Sequence, residues 1–169
     1  MKESALHYFQ DDVLFTGKHS RYIDELWEQN QIQHSFIKTL YELYALSAII
    51  GLRLKMPKPA DNSDGKRTIQ TKQLIAYTHV LNIVMTLVLL LDNTNDINDE
   101  QKIDRAFRGP NNKEEFDNNV ELFNSYARGG IEYLYNKLVL RTLDIEDEYT
   151  DVRIGNIIAL IEDPLIPEI

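Results

Sequence analysis

The basic side chains of this sequence concentrate in one stretch that could bind phosphate groups. Residues 53–72 contain six basic residues and two acidic ones, namely Arg53, Lys55, Lys58, Lys66, Arg67 and Lys72 against Asp61 and Asp64. Lys and Arg neutralise the phosphates of a nucleic-acid backbone and release counterions, so such a stretch can contact DNA. The competing interpretation is a solvated loop whose charges only keep the protein soluble.

A second candidate is Arg128-Gly129-Gly130, which interrupts a tyrosine-rich amphipathic helix. A glycine inside a helix costs about 1 kcal/mol relative to alanine, so the pair indicates a helix break or a close approach. If the helix ends at Gly129, the N–H groups that follow form an anion site beside Arg128. If it continues, the glycines form a notch for a neighbouring helix, including one from a second subunit. The packing interpretation is favoured because phosphate loops usually carry more glycines after a strand.

The histidines do not predict a metal site. No two of them share the i, i+3 or i, i+4 spacing of a helical zinc motif; they are His7, His19, His34 and His79. His79 lies in an apolar helical segment, and we expect it to be a hydrogen-bonded core residue.

No other motif predicts catalysis or cation binding. Residues 92–103 resemble a calcium loop, but Ile97 stands at the position that requires glycine and Ile103 at the position that requires glutamate. There is no Gly-x-Ser-x-Gly motif. We therefore expect a protein that is not an enzyme and has no catalytic residue, cofactor or metal.

Composition predicts one helical, intracellular domain. The chain has 169 residues, 43% of them hydrophobic, which is enough for a single core. Its net charge of −9 disfavours nonspecific adhesion to nucleic acid or to anionic membranes. The chain has no cysteine, and its first residues lack the apolar core of a signal peptide. The expected location is the cytoplasm.

Residues 74–91 are nearly all apolar and approach the length of a membrane span. Polar residues within this segment, such as His79 and Asn82, and Asp92 directly after it favour a buried helix that is apolar nearly all round. We therefore expect no membrane association.

Hydrophobic periodicity predicts an all-α fold, a single-domain bundle of about six to seven helices. The first predicted helix begins after a cap at Ser20, and the fourth begins at an Asn98–Gln101 capping box. The other predicted helices span residues 35–52, 71–91, 113–126, 130–141 and 150–162. Residues 1–19 are predicted to be an N-terminal arm, residues 53–70 a long basic loop, and residues 143–151 a solvated acidic linker. No strand-like alternation of useful length is present.

Two of these segments resemble a known family. The run from Tyr41 to Leu52, followed by basic residues and proline, resembles the small accessory proteins found with DNA phosphorothioation (Dnd) systems in bacterial defence islands. Those proteins carry an aromatic-x-x-x-x-Ala-Ala-x-x-Gly helix before a Lys/Arg/Pro segment, and Ser47 stands here for one alanine. The run from Ser125 to Glu132 resembles their later Gly-Gly helix. The resemblance covers about a quarter of the chain and implies an intracellular component of an anti-phage or DNA-modification system without catalytic residues.

The sequence thus predicts a non-enzymatic accessory subunit that binds partner proteins through its acidic body and contacts DNA, if at all, through residues 53–72. The predicted nucleic-acid or anion-binding residues are Arg53, Lys55, Lys58, Lys66, Arg67 and Arg128. The alternative is a homo-oligomeric scaffold, or an acidic DNA mimic that inhibits a nuclease, assembled through the Gly129-Gly130 notch. Tyr126 and Tyr133 would then lie at the subunit interface.

Overall fold

A computed structural model describes residues 6–28, 35–140 and 152–163 of the chain. These residues form seven α-helices and two short β-strands, so the predicted helical class is confirmed and a small sheet is added to it. The elements are β1 (Val13–Thr16), α1 (Gly17–Leu26), α2 (Leu40–Arg53), β2 (Lys66–Ile69), α3 (Thr71–Ala76), α4 (Thr78–Leu91), α5 (Asp99–Arg108), α6 (Lys113–Leu138) and α7 (Val152–Ile161). His34 and the predicted linker 143–151 lie outside the described residues.

Helix α6 is continuous, so the predicted break after Tyr126 is wrong. Helix α2 crosses α6 so closely that glycines stand at the contact. A β-carbon on Gly51 would overlap the carbonyl oxygen of Tyr126, and one on Gly130 would overlap that of Ser47. Close packing therefore explains why glycines occupy the middle of this helix despite their low helix propensity.

The partner of the glycine notch is the same chain. A β-carbon on Gly129 would overlap the carbonyl oxygen of Met56, just beyond α2, and both glycines are buried. The predicted subunit interface at Gly129-Gly130 is therefore wrong, because α2 and the residue after it already fill the notch. The predicted anion site at this position is also absent, since it required α6 to end at Gly129.

The sheet joins two segments that the sequence predicts to be an arm and a loop. Strands β1 and β2 are antiparallel, with Val13 opposite Ile69 and Thr16 opposite Lys66. Each strand has only four residues, which is too short for alternation to stand out in the sequence. Phe9, Val13 and Phe15 are buried, so the described part of the predicted arm contributes three side chains to the core.

The core beneath α2 contains a cluster of aromatic rings. Phe9 lies edge-on to Phe123 with 5.2 Å between ring centroids, and Tyr44 of α2 lies 4.8 Å from the same ring. The buried hydroxyl of Tyr44 donates a hydrogen bond to Asn124, which satisfies its polar end. This cluster holds α2 against α6 from one side.

The predicted helix over residues 71–91 is divided at Tyr77 into α3 and α4. Helix α4 buries one side, including Leu81, Val84 and Val88, but the opposite side is apolar and exposed. The expectation of a helix buried nearly all round is therefore wrong, and His79 is exposed instead of lying in the core. Among the described residues, no helix has the length and apolarity needed to cross a membrane.

The predicted Asn98–Gln101 capping box is confirmed. The Asn98 side chain accepts a hydrogen bond from the Gln101 backbone N–H, and the Gln101 side chain accepts one from the Asn98 N–H. This reciprocal cap fixes the start of α5 directly after the turn that follows α4.

Candidate protein-binding groove

Helices α2 and α4 lie side by side and run in the same direction. At their N-terminal ends, Tyr41 stacks on Tyr77 with 4.0 Å between ring centroids. At their C-terminal ends, Ile49 and Leu52 of α2 share an open groove with Leu87 and Leu91 of α4. The groove has a volume of about 550 Å³.

The outer surface of this helix pair carries six large aliphatic side chains that no described element covers. Their exposed fractions lie between 40% and 59%, and we call them the groove face: Leu46, Ile49, Val80, Ile83, Leu87 and Leu91. They recur every three or four residues, so each helix contributes one continuous stripe. Water-exposed apolar stripes of this kind are typical of protein interaction sites.

Basic side chains stand at the C-terminal end of the groove. Arg53 and Lys55 both line it and are both exposed, and neither forms an ion pair with any described residue. The opposite end of the α2 stripe carries Glu42. The groove face therefore has an acidic end and a basic end.

Lys55 occupies a position that favours glycine. Its φ is 53°, in the left-handed region, directly after the end of α2. The Lys55 N–H donates to the Leu52 carbonyl and the Met56 N–H to the Gly51 carbonyl, which is the hydrogen-bond pattern of a Schellman motif. A side chain in this conformation costs about 1 kcal/mol, so the cationic group is held at the groove at the expense of stability.

A buried carboxylate supports the end of the groove. Asp92, just after α4, accepts hydrogen bonds at 2.7 Å from the hydroxyls of Tyr126 and Thr94. Burial by itself would raise the pKa of Asp92, but these hydrogen bonds outweigh it and lower the pKa. Burial, followed by the contact with Asp92, raises the pKa of Tyr126. The contacts tie the loop after α4 to α6, and the Tyr126 ring borders the groove.

The residues after α2 are anchored along α6 by Arg128. Its Nε donates to the Lys58 carbonyl at 2.7 Å, and its Nη2 pairs with Glu121. The Lys58 N–H donates to the Ser125 carbonyl at 2.9 Å. Arg128 is therefore a buried connector between loop and helix, with its charge already paired.

The far end of the loop is anchored at α1. The Asp61 carboxylate accepts from the Lys18 N–H at 2.7 Å, and the Thr16 hydroxyl donates to the Asp61 carbonyl. Backbone and side-chain hydrogen bonds, first that from Lys18, lower the pKa of Asp61 to about 2. The segment between α2 and β2 thus has fixed attachments at both ends.

The other predicted site residues lie in separate surroundings. Arg67 pairs with Asp24 and lies over the Trp27 ring, while Lys66 is exposed at the start of β2. The Tyr133 hydroxyl donates to Asp163, and burial together with this contact raises the pKa of Tyr133 to about 12. The structure therefore brings Arg53, Lys55 and Tyr126 to the groove and places the other predicted residues elsewhere.

A buried polar cluster between α1 and α6 has no counterpart among the sequence predictions. His19 is only 1% exposed, and its Nε2 lies 3.0 Å from Oε1 of Glu132, which also pairs with Lys18 at 2.8 Å. Burial, opposed by the contact with Glu132, lowers the pKa of His19. The partners are more than a hundred residues apart in sequence, so spacing does not reveal them. Among the described residues, no group of three or more His, Asp or Glu side chains is arranged to hold a metal ion.

The fold and the groove define a helical protein with an open apolar face. Comparison of the chain with protein-family models, with curated proteins and with solved structures found no match.

Proposed function

We propose that this protein is a non-enzymatic interaction subunit that binds a helix of a protein partner on its groove face. The observation that carries the proposal is the pair of exposed aliphatic stripes on two parallel helices, with Glu42 and Arg53 at opposite ends of the α2 stripe. Two-helix grooves recognise amphipathic helices through anchors at i, i+3, i+4 and i+7. The spacing of the groove face fits such a ligand, and the charges at its ends would fix the ligand's direction.

The groove requires a rigid frame, and we infer that the helices form a single bundle domain in the cytoplasm. The close contact of α2 with α6 supports a single domain, as does a buried cluster that draws side chains from both strands and from α1, α2, α3, α4 and α6. A rigid frame lowers the entropic cost of ordering the binding face when the partner arrives.

We place this protein in a bacterial DNA-modification or anti-phage defence system. The support is the resemblance of residues 41–52 and 125–132 to the phosphorothioation-associated accessory proteins. Those two segments cross at the glycine contact, and the first of them also carries Leu46 and Ile49 of the groove face.

Contact with DNA through residues 53–72 is a separate proposal. In that segment Arg67 is paired with Asp24, whereas Lys58 and Lys66 form no ion pair with the described residues. The variant Lys58→Glu/Lys66→Glu should flatten the salt dependence of DNA binding at low ionic strength. An unchanged salt slope would remove DNA from the proposal.

The protein-binding proposal is tested by photo-cross-linking in the cells from which the chain originates. A benzophenone amino acid replaces Ile83 on the groove face or, as the control, Leu14 on β1, and the two positions have similar exposure, 49% and 53%. Ultraviolet light should give a discrete protein adduct from position 83 and none from position 14. Equal labelling at both positions, or no adduct at position 83, contradicts the proposal.

A further inference from the structure

The stripe on α2 has the same spacing in both directions. Glu42, Leu46, Ile49 and Arg53 follow one another at intervals of four, three and four residues. If a second α2 lies antiparallel on the first, Glu42 meets Arg53 and Leu46 meets Ile49. The apolar residues then pair with each other, and the acidic end of each helix faces the basic end of the other.

The stripe on α4 is nearly symmetric in the same way. Val80, Ile83, Leu87 and Leu91 follow at intervals of three, four and four residues. Against an antiparallel copy of α4, Val80 meets Leu91 and Ile83 meets Leu87. All four side chains are exposed, so no described element competes for these contacts.

The two stripes can share one symmetry axis. The midpoint of the α2 stripe lies between Ser47 and Ala48, and that of the α4 stripe lies next to Met85. Tyr41 stacks on Tyr77 at one end of the helix pair, and Ile49 and Leu52 face Leu87 and Leu91 at the other. The two midpoints therefore lie at about the same height along the parallel helices. A two-fold axis in the plane of the face, perpendicular to both helices, relates both stripes to their copies at once.

The charges at the ends of the stripe are free to act across this axis. Arg53 forms no ion pair with the described residues. Glu42 accepts a hydrogen bond from the Thr39 hydroxyl through Oε2, which leaves Oε1 available. The net charge of −9 opposes self-association in general, so the local attraction between Glu42 and Arg53 would select this face and this direction.

We infer that the partner on the groove face is a second copy of the same chain, related by this two-fold axis. The contact is isologous, and α2 and α4 of the two copies stack face to face as an antiparallel four-helix bundle around twelve aliphatic side chains, six from each copy. This inference rests on the proposed function, because it names the occupant of the same face.

The experiment is a charge exchange followed by sedimentation equilibrium. Glu42→Arg places like charges at both ends of the contact, and so does Arg53→Glu. Each variant alone should weaken dimerisation at least about tenfold, since two attractive pairs become repulsive. An equimolar mixture should form a heterodimer of wild-type affinity, because every pair is attractive again. The double variant E42R/R53E should recover in the same way, and circular dichroism checks that α2 stays helical after the Thr39–Glu42 contact is lost.

A second pair of variants tests the apolar contacts. Leu91→Glu, at a position 59% exposed, should give a monomer. Ile154→Glu on α7, where the side chain is 56% exposed, should leave the dimer intact. A wild-type protein that stays monomeric up to about 1 mM overturns the inference, as does a dimer that responds to neither charge exchange nor Leu91→Glu.

The outcomes separate this inference from the proposed function. If the protein is a monomer in solution and position 83 cross-links to a different protein, the inference of a second copy is wrong and the proposed binding function of the groove face stands. If the purified protein binds anionic phospholipid vesicles and Leu91→Glu abolishes this binding, the groove face is a membrane-binding surface. That result would overturn both the second copy and the protein-binding function. A self-adduct from position 83 together with heterodimer rescue supports both.

Discussion

The two sides of α2 show how one helix can be closed on one face and open on the other. Toward α6, Gly51 and Gly130 bring the two backbones into contact and leave no room for a side chain. Toward solvent, Leu46 and Ile49 extend the apolar surface without a partner among the described residues. The same helix therefore uses its small residues to fix the fold and its large ones to offer a surface. The closed side should govern stability and the open side association.

The largest effect should come from a methyl group on the closed side. Gly130→Ala forces the new β-carbon against the Ser47 carbonyl, and neither backbone can move without separating α2 from α6. We expect a loss of about 3 kcal/mol or more in the free energy of unfolding, measured by urea denaturation.

Two controls isolate this steric cause. Gly109 has a φ of 83° and a ψ of 173°, a backbone region that almost only glycine adopts, and nothing lies near its missing β-carbon, so Gly109→Ala should cost about 1 to 3 kcal/mol through backbone strain without any steric overlap. On the open side, Leu87→Glu should change the unfolding free energy of the monomer by less than about 0.5 kcal/mol. If Gly130→Ala is tolerated as well as Leu87→Glu, the closed contact is not what the glycines provide.

A medium effect should appear on acidification, at the contact of α1 with α6. Burial lowers the pKa of His19, so the folded protein resists a proton that the unfolded chain accepts near its ordinary pKa of about 6.5. The stabilising contribution is therefore complete above about pH 6.5 and declines as the pH falls toward the lower folded pKa. The loss cannot exceed about 1.4 kcal/mol per pH unit for one proton.

Two histidine variants test that assignment. Thermal unfolding between pH 5 and 7 should show less pH dependence in His19→Gln than in the wild type. His79→Gln, at an exposed position on α4, should keep the wild-type slope. Equal slopes in all three proteins would show that His19 does not control stability in this range. Burial by itself would raise the pKa of Glu132, but its contacts with Lys18 and His19 outweigh burial and lower the pKa. Protonation of Glu132 therefore also reduces the stability of the folded protein, but only at more acidic pH.

The features that could be predicted from the sequence depend on neighbouring residues. The capping box of α5 involves only Asn98 and Gln101, and the helical periods repeat every few residues. The features that were missed join distant segments, as when Gly51 meets Tyr126 or β1 pairs with β2. The Gly129-Gly130 pair is an intermediate case: the favoured prediction that it packs against a neighbouring helix is confirmed, but that helix, α2, is too distant in sequence to be identified.

The outward surface of α4 was missed for a different reason. Composition shows that the segment is apolar. It does not distinguish apolar side chains that pack inside the protein from those that face outward. His79 illustrates the problem, since its apolar neighbours suggested the core and the fold left it exposed. Among the histidines that the structure describes, the buried one is His19, which lies in a less hydrophobic stretch and contacts Glu132 of α6. Sequence patterns therefore located the helices of the groove but not the groove itself.

The smallest effect should appear at Lys55, where the closed and open sides of α2 meet. Its left-handed backbone terminates the helix, and its side chain lines the groove. Lys55→Gly removes the steric penalty of about 1 kcal/mol, and the greater freedom of glycine in the unfolded chain offsets about half of that gain. We expect the unfolding free energy to rise by about 0.5 kcal/mol in urea denaturation. Lys55→Ala keeps the strained backbone and removes only the charge, so its stability should match the wild type. If neither variant changes the unfolding free energy but both weaken association, Lys55 acts only through its charge at the groove. If Lys55→Gly is less stable than the wild type, the strain assigned to this position is wrong.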